Sequence, residues 1–348
     1  MKSHPLLTAV RANGNPVIEG NTATFVWEGK TAPHLIDDSH DWEENPLPLE
    51  KAGPGVWAIS LTLPLDAYLE YGWFNPETKE RLEDPFNPER TLWNGINAYN
   101  HYFYMPEAAP TPLAQRQKGV PRGEVTIHNI ETYGMAVGKK RQVYLYQPPT
   151  DDPAPLLVVY DGPDYLHRGK LAVIMDNLIA QKRIPPVALA MVQNGKDART
   201  IEYGCSELTL GFVAEKVVGL ADEHLNLLDF KENPGAYGVM GASMGGLMAM
   251  YTGLRLPFMF GKVLSQSGAF GIPEHEFITG DIVRHHPKPD INIWMDVGTL
   301  EWLLPSNRQF RELLQEKDYR FVYREYNGGH NYTSWRDDLW RGLEYLFG

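Results

Sequence analysis

Two patterns of apolar and polar positions follow one another along the chain. Within residues 1–105 the short runs TATFVWEG, GVWAISLTL and YLEYGWF alternate apolar and polar residues, as half-buried strands do. The pieces between them, DDSHDWEENPLP and NPETKERLEDPFNPER, are crowded with Asn, Asp and Pro, the residues of turns. No segment of helical period stands out, so residues 1–105 are predicted to form a small antiparallel β-sandwich. A Pro- and Ala-rich stretch, 106–123, reads as a semi-extended linker.

From residue 124 to 348 the pattern changes. The runs LLVVYDG (156–162), VALAMVQN (187–194), AYGVMGAS (236–243), KVLSQSG (262–268) and INIWMDVG (291–298) are short and nearly continuously apolar. Strands covered on both faces look like this. Helical patterns at 171–181, 210–228, 243–255, 306–317 and about 334–347 separate or follow them. Strands alternating with helices predict βαβ units in a doubly wound α/β sheet, in which chemistry collects at the carboxyl ends of the strands.

Composition changes this picture mainly by exclusion. The 348 residues are 43% hydrophobic and 22% charged, ordinary for a globular chain and too apolar for a disordered one. The net charge of −12 argues against nucleic acid, whose binders carry a basic footprint. Residues 1–105 hold 15 acidic and 7 basic side chains, so most of the excess lies there. The single Cys205 removes intrachain disulfides and Cys-rich zinc sites. Asp37, Asp38, His40 and Asp41 have metal-ligand residue types but no recognised spacing, and a solvated loop is the simpler reading. No metal or cofactor is expected. No run is long and apolar enough for a membrane span, and the start of the chain does not read as a secretory signal. A cytoplasmic chain without membrane attachment is the expectation.

The sharpest chemical signal is Gly241-Ala242-Ser243-Met244-Gly245-Gly246. It satisfies G-x-S-x-G, follows the apolar run AYGVM and opens a helical pattern, the strand–turn–helix context of a nucleophile elbow. The bland alternative is a glycine-rich βα turn without chemistry. Ser243 is thus the candidate nucleophile, and the Met244 N–H, at a helix N-terminus, a candidate oxyanion donor. A serine hydroxyl needs a base, and on a sheet of this kind acid and histidine follow the serine in the chain. His275, His285, His286 and His330 qualify by position. His330 is preferred, because Asn327-Gly328-Gly329-His330 follows the strand-like RFVYREY and precedes the last helix. For the acid, Glu301 is preferred to Asp296, which ends the run INIWMD. Arg199 has two readings, a contact to an anionic substrate group or an ion pair with Glu202. Tyr165, Trp302, Tyr332 and Trp335 flank the motifs and are candidates to line a pocket, with plain packing the alternative.

These residues carry a likeness. Residues of the C-terminal part resemble the putative-esterase (esterase D) family of α/β-hydrolases, and the whole chain, over about residues 20–348, looks like its enterochelin-esterase branch. The matching pieces are Tyr160-Asp161-Gly162, Asp197 to Tyr203, Gly241 to Gly246, Gly298-Thr299-Leu300-Glu301, and Gly328-Gly329-His330 with Trp335-Arg336. Val26-Trp27 and Asp84 to Pro88 resemble the early-set, Ig-like domain that precedes such catalytic domains. The resemblance implies Ser243 as nucleophile, His330 as base and Glu301 as acid. It also exposes a departure. Relatives donate a second oxyanion N–H from the residue after the Asp-Gly turn, and here that residue is Pro163, which has none. Asp164 or the Tyr165 side chain is then the expected substitute; a missing donor costs about 3–4 kcal/mol of transition-state stabilisation.

The leading expectation is therefore a serine carboxylic ester hydrolase acting through an acyl-enzyme on a small neutral or phenolic ester or lactone. A siderophore esterase of the enterochelin type is an alternative, weakened by the few basic residues near the motifs, Arg168, Arg199 and Arg336 among them. An acyltransferase is another alternative. A third, outside enzymes, is a glycan-binding or scaffold protein with a decayed site. The N-terminal domain is a candidate surface for homo-oligomer formation or a wall over the site, and Trp27, Trp42, Trp57 and Trp73 are candidates for its core.

Overall fold

The computed structural model describes residues 4–95, 98–272 and 275–348. By their contacts these residues divide into two compact units. The first comprises Met1–Ala109 with two later segments, Gly298–Trp302 and Tyr326–Ser334; the second holds the remainder.

In the first unit, among the described residues, a four-stranded sheet orders Val17–Glu19, Thr22–Glu28, Val56–Thr62 and Glu50–Gly53. A second sheet is built around Tyr68–Phe74, flanked by His34–Asp37 and Tyr99–Tyr104, both antiparallel to it. Phe25 of the first sheet packs edge-on against Tyr71 and Phe103 of the second, at centroid distances of 4.9 and 5.6 Å. Trp73 is wholly buried in this core, whereas Trp27 and Trp57 lie at its margin. Trp42 is half-buried under the Arg81 guanidinium.

Two features depart from the pattern reading. A helix, Pro5–Asn13, precedes the strands, with Leu7 and Val10 buried and His4 capping the Leu6 N–H. Nine residues with two buried positions give too short a period to stand out. Tyr68–Phe74 is also buried along its whole length instead of half-buried. One face, Leu69, Tyr71 and Trp73, enters the core. The other meets the segment around Asp38 and the later segment 326–334: the Glu70 N–H donates to Asp38 Oδ2, and the Tyr68 N–H to the Asn327 carbonyl.

The second unit is an α/β domain on one mixed sheet. Its strands are β1 (Glu124–Glu131), β2 (Lys140–Gln147), β3 (Leu156–Val159), β4 (Ala188–Val192), β5 (Tyr237–Ala242), β6 (Phe260–Gln266), β7 (Asn292–Gly298) and β8 (Arg320–Tyr326). Their spatial order is β1-β2-β4-β3-β5-β6-β7-β8. The ladders from β4 through β3, β5 and β6 to β7 are parallel; β1 on β2 and β2 on β4 are antiparallel. Parallel strands β3 to β7 are the apolar runs of the sequence. The β1–β2 hairpin was not legible there, because edge strand β1 is mostly solvent-exposed and carries no buried alternation. Helix Met244–Arg255 is buried from Met244 to Leu254, apolar all round as a core helix must be. The Pro-rich stretch is fastened down: Asn177 Nδ2 donates to the Leu113 and Gln115 carbonyls at 2.7 and 2.9 Å, and the Gly123 N–H to Asp176 Oδ1 at 2.8 Å.

Candidate active site

In the second unit β5 runs directly into helix Met244–Arg255, and Ser243 sits at the corner with φ 59° and ψ −125°. A residue with a Cβ pays for that conformation, so it persists only where its surroundings fix it. Here they do. The Ser243 N–H donates to the Gln266 carbonyl at the end of β6 at 2.9 Å, and its carbonyl accepts from Leu247 and Ala269, each at 3.0 Å. A Cβ on Gly241 would overlap the Gly245 carbonyl, so the corner is that tight only with glycine. The Met244 N–H follows at the helix N-terminus, where the helix dipole favours a developing negative charge.

The end of β3 is held by ions. Asp161, buried and in the left-handed region at φ 54°, takes Arg199 bidentately, Nε to Oδ1 at 2.8 Å and Nη2 to Oδ2 at 2.7 Å. Asn194 Nδ2 joins at 2.6 Å, and Arg199 Nη2 also reaches the Ala242 carbonyl at 3.3 Å. Arg199 therefore braces the strand before the nucleophile. The Glu202 carboxylate forms a separate buried fork with Arg141, at 2.6 and 3.1 Å. Each residue of the loop-anchoring pair read from the sequence thus has a longer-range ionic partner. After Gly162 the chain turns into a short helix, and the Asp164 N–H donates to the Asp161 carbonyl at 3.0 Å. The amide expected as a second oxyanion donor is committed to that turn.

The acid and base candidates lie in the first unit, on the segments that follow β7 and β8. The Glu301 side chain is fully buried, and the imidazole of His330 is 22% exposed. Glu301 Oε2 meets His330 Nδ1 in a short contact, while Oε1 accepts the Gly298 N–H at 2.7 Å. Two backbone bonds knit the segments, Thr299 N–H to the Tyr326 carbonyl at 2.8 Å and Leu300 N–H to the Gly328 carbonyl at 3.1 Å. Asp296, the other candidate acid, is in the second unit and accepts from Trp294 Nε1 at 2.7 Å and Gln266 Nε2 at 3.2 Å.

The flanking aromatics separate. Tyr165 is completely buried, donates its hydroxyl to Gln266 at 3.0 Å and is held well above the usual phenol range, first by burial and then by Asp296. Trp335 is buried too, its indole N–H on Ser267 Oγ at 2.9 Å. Both side chains are buried and hydrogen-bonded within the second unit. Trp302 remains 44% exposed, its ring centroid 6.0 Å from that of His330. Burial pushes the Cys205 thiol up to about 12, so it is inert, as a lone packed Cys is. Among the described residues no group of three or more His, Cys, Asp or Glu is placed to hold a metal, and no helix is long and apolar enough to cross a membrane. The contacts made by Asp161, Gln266, Asp38 and Asn331 were not foreseen from the sequence. Each has a partner more than 30 residues away, and a local pattern does not say which one.

Comparison with known proteins gives the family and the fold. The family described as "Putative esterase" matches residues 134–346. An iron(III) enterobactin esterase of Dickeya dadantii is 28% identical over 292 residues, which span 76% of this chain and 65% of that protein. That of Escherichia coli K12 is 24% identical, over 79% of this chain and 69% of the relative. Among solved structures, enterobactin esterase of Shigella flexneri in the presence of enterobactin superposes with a TM-score of 0.76 at 20% identity, covering 93% of this chain and 92% of that one. A ferulic acid esterase from Anaeromyces mucronatus in complex with ferulic acid gives 0.56 at 17% identity, covering 69% and 96%. The first of these shares both the all-β and the α/β part of the fold.

Proposed function

The chain belongs to the putative esterase family, and from that premise we propose that it is a serine hydrolase of small-molecule carboxylic esters or lactones, with Ser243 as nucleophile, His330 as base and Glu301 as acid. The observation that carries the reading is Ser243 held at φ 59° on a strand-to-helix corner, the strained turn that presents a hydroxyl for attack.

His330 Nε2 takes the proton of Ser243 Oγ as the oxygen attacks the ester carbonyl. Glu301, on Nδ1–H, fixes the tautomer that leaves Nε2 free to accept, and stabilises the imidazolium that forms. The Met244 N–H stabilises the oxyanion of the tetrahedral intermediate. Collapse breaks the carbonyl–alkoxide bond, and His330 returns its proton to the leaving alcohol. Water, deprotonated by His330, then cleaves the acyl-serine and restores Ser243. An alcohol in place of water gives acyl transfer by the same intermediate. With Pro163 lacking an N–H and the Asp164 N–H occupied, the oxyanion depends chiefly on Met244.

For the substrate, the relatives' names support a siderophore lactone of the enterobactin kind, and the fold match covers 92% of the Shigella flexneri chain. One observation favours a second reading, a neutral phenolic ester. Arg168, Arg199 and Arg336 are each paired with a carboxylate, Asp164, Asp161 and Asp337, which lowers the positive potential available to an anionic ferric complex.

The test is intact mass after incubation with a fluorophosphonate, wild type against Ser243→Ala. A stoichiometric adduct lost in the variant is expected. No adduct on folded wild-type protein would refute the esterase reading. Parallel hydrolysis of enterobactin, with and without iron, and of a feruloyl ester then ranks the substrates.

A further inference from the structure

The turn carrying His330 is fixed from the β-domain side at several points, all within the first unit. The Tyr68 N–H donates to the Asn327 carbonyl at 3.1 Å, and Asn327 Nδ2 to Asp66 Oδ1 at 2.7 Å. Asn331, immediately after the imidazole, gives Nδ2 to Asp38 Oδ2 at 2.9 Å. That same oxygen takes the Glu70 N–H at 2.8 Å. Gly329, immediately before the imidazole, lies so close to Asp38 that a Cβ there would overlap its carboxyl carbon. Both neighbours of His330 in the chain thus rest on one side chain.

That side chain is an unusual one to bury. Asp38 is 5% exposed, and its buried Oδ1 finds no hydrogen-bond partner among the described residues. A buried, half-satisfied carboxyl is costly. Desolvation, and after it Glu70, Asp37 and Glu301, hold it well above the usual carboxylate range. Fold anchoring alone explains the bond to Glu70 and not the two contacts that bracket His330.

We propose that Asp38 is a positioning residue for the catalytic base: through Asn331 and Gly329 it holds the His330 turn in the geometry in which Nδ1 meets Glu301. The proposal rests on the assignment of His330 as base. It makes the N-terminal domain part of the catalytic apparatus, since a residue of that domain sets where the imidazole stands. Misplacing a reacting group by about 1 Å costs on the order of a hundredfold in rate.

Asp38→Ala, Asp38→Asn and Asn331→Ser separate the roles. Asn keeps a carbonyl oxygen for both donors without a charge. Ser at 331 still caps the last helix, in place of the Asn331 Oδ1 that accepts the Ser334 N–H at 2.8 Å, but it has no amide to give Asp38. With p-nitrophenyl acetate as probe, Asp38→Ala and Asn331→Ser are expected to lower kcat by about ten- to a hundredfold at little-changed KM. The double variant should lose no more than either single one, and Asp38→Asn should restore wild-type kcat. The low-field proton signal of His330 Nδ1–H should exchange faster in the first two variants and not in the third. Wild-type kcat and exchange in Asn331→Ser, or full additivity in the double variant, would overturn the proposal. Should Asp38→Ala fail to fold, Asn331→Ser and Asp38→Asn decide it. A wild-type protein that neither reacts with a fluorophosphonate nor hydrolyses esters sinks the assignment of function; the exchange comparison then judges the positioning of the ring by itself.

Discussion

Replacing Glu301 by Gln alters one atom of a side chain whose two oxygens have different tasks. Oε1 accepts the Gly298 N–H at 2.7 Å, and Oε2 meets His330 Nδ1. Glutamine has a single oxygen. If that oxygen turns to Nδ1, its amide group confronts the Gly298 N–H and leaves a buried donor unsatisfied, at about 1–3 kcal/mol. The favoured arrangement keeps the oxygen on Gly298 and points the amide at the imidazole. Nδ1 must then accept, the proton moves to Nε2, and the ring no longer takes a proton from Ser243. In serine proteases the matching change costs about 10⁴ in kcat, equivalent to about 5 kcal/mol. Steady-state kinetics on p-nitrophenyl acetate should therefore show a loss on the order of 10³–10⁴ in kcat, with KM little affected and the circular dichroism spectrum preserved. Asp296→Asn is the control: its remaining oxygen stays on Trp294 Nε1, and kcat should change by less than about tenfold. A folded Glu301→Gln enzyme of near wild-type kcat, or a far larger loss in Asp296→Asn, would refute the reasoning.

Arg141→Met leaves the Glu202 carboxylate buried without its guanidinium fork, and should destabilise the second unit by about 3–5 kcal/mol in denaturant or thermal unfolding. Cys205, pushed up to about 12 by burial, should resist iodoacetamide near pH 8 in the native protein and react once it is unfolded. Asp38, held above the usual carboxylate range by burial, binds its proton more tightly folded than unfolded. Stability from this group is therefore complete below the unfolded pKa and falls as pH rises towards the folded one. Asp38→Asn should accordingly be more stable than wild type at neutral pH, with the gap closing as the pH is lowered through about 4; a gap that widened in acid would contradict the burial argument.

The strand-to-helix corner at Ser243 was legible in the chain because its determinants are local. A tight strand-to-helix turn needs glycine at Gly241 and a helix start at Met244, and these are adjacent letters. The apolar runs of β3 to β7 were legible for a related reason: a strand covered on both faces has few polar positions to spare. Edge strand β1 and helix Pro5–Asn13 gave no such signal, since exposure or shortness removes the periodicity. Glu301 and Asp296 were close competitors in the sequence, five residues apart; tertiary structure separated them by placing one on His330 and the other on Trp294 and Gln266. Folding likewise decided that Arg199 braces Asp161 and Arg141 takes Glu202, and that Tyr165 and Trp335 are buried while Trp302 stays exposed. Most remote was the link from Asp38 to Asn331, 293 residues along the chain. Local backbone rules write the tight corner at Ser243 into neighbouring residues, whereas a side chain's partner depends on which distant segments the core brings together, and that is settled only when the chain folds.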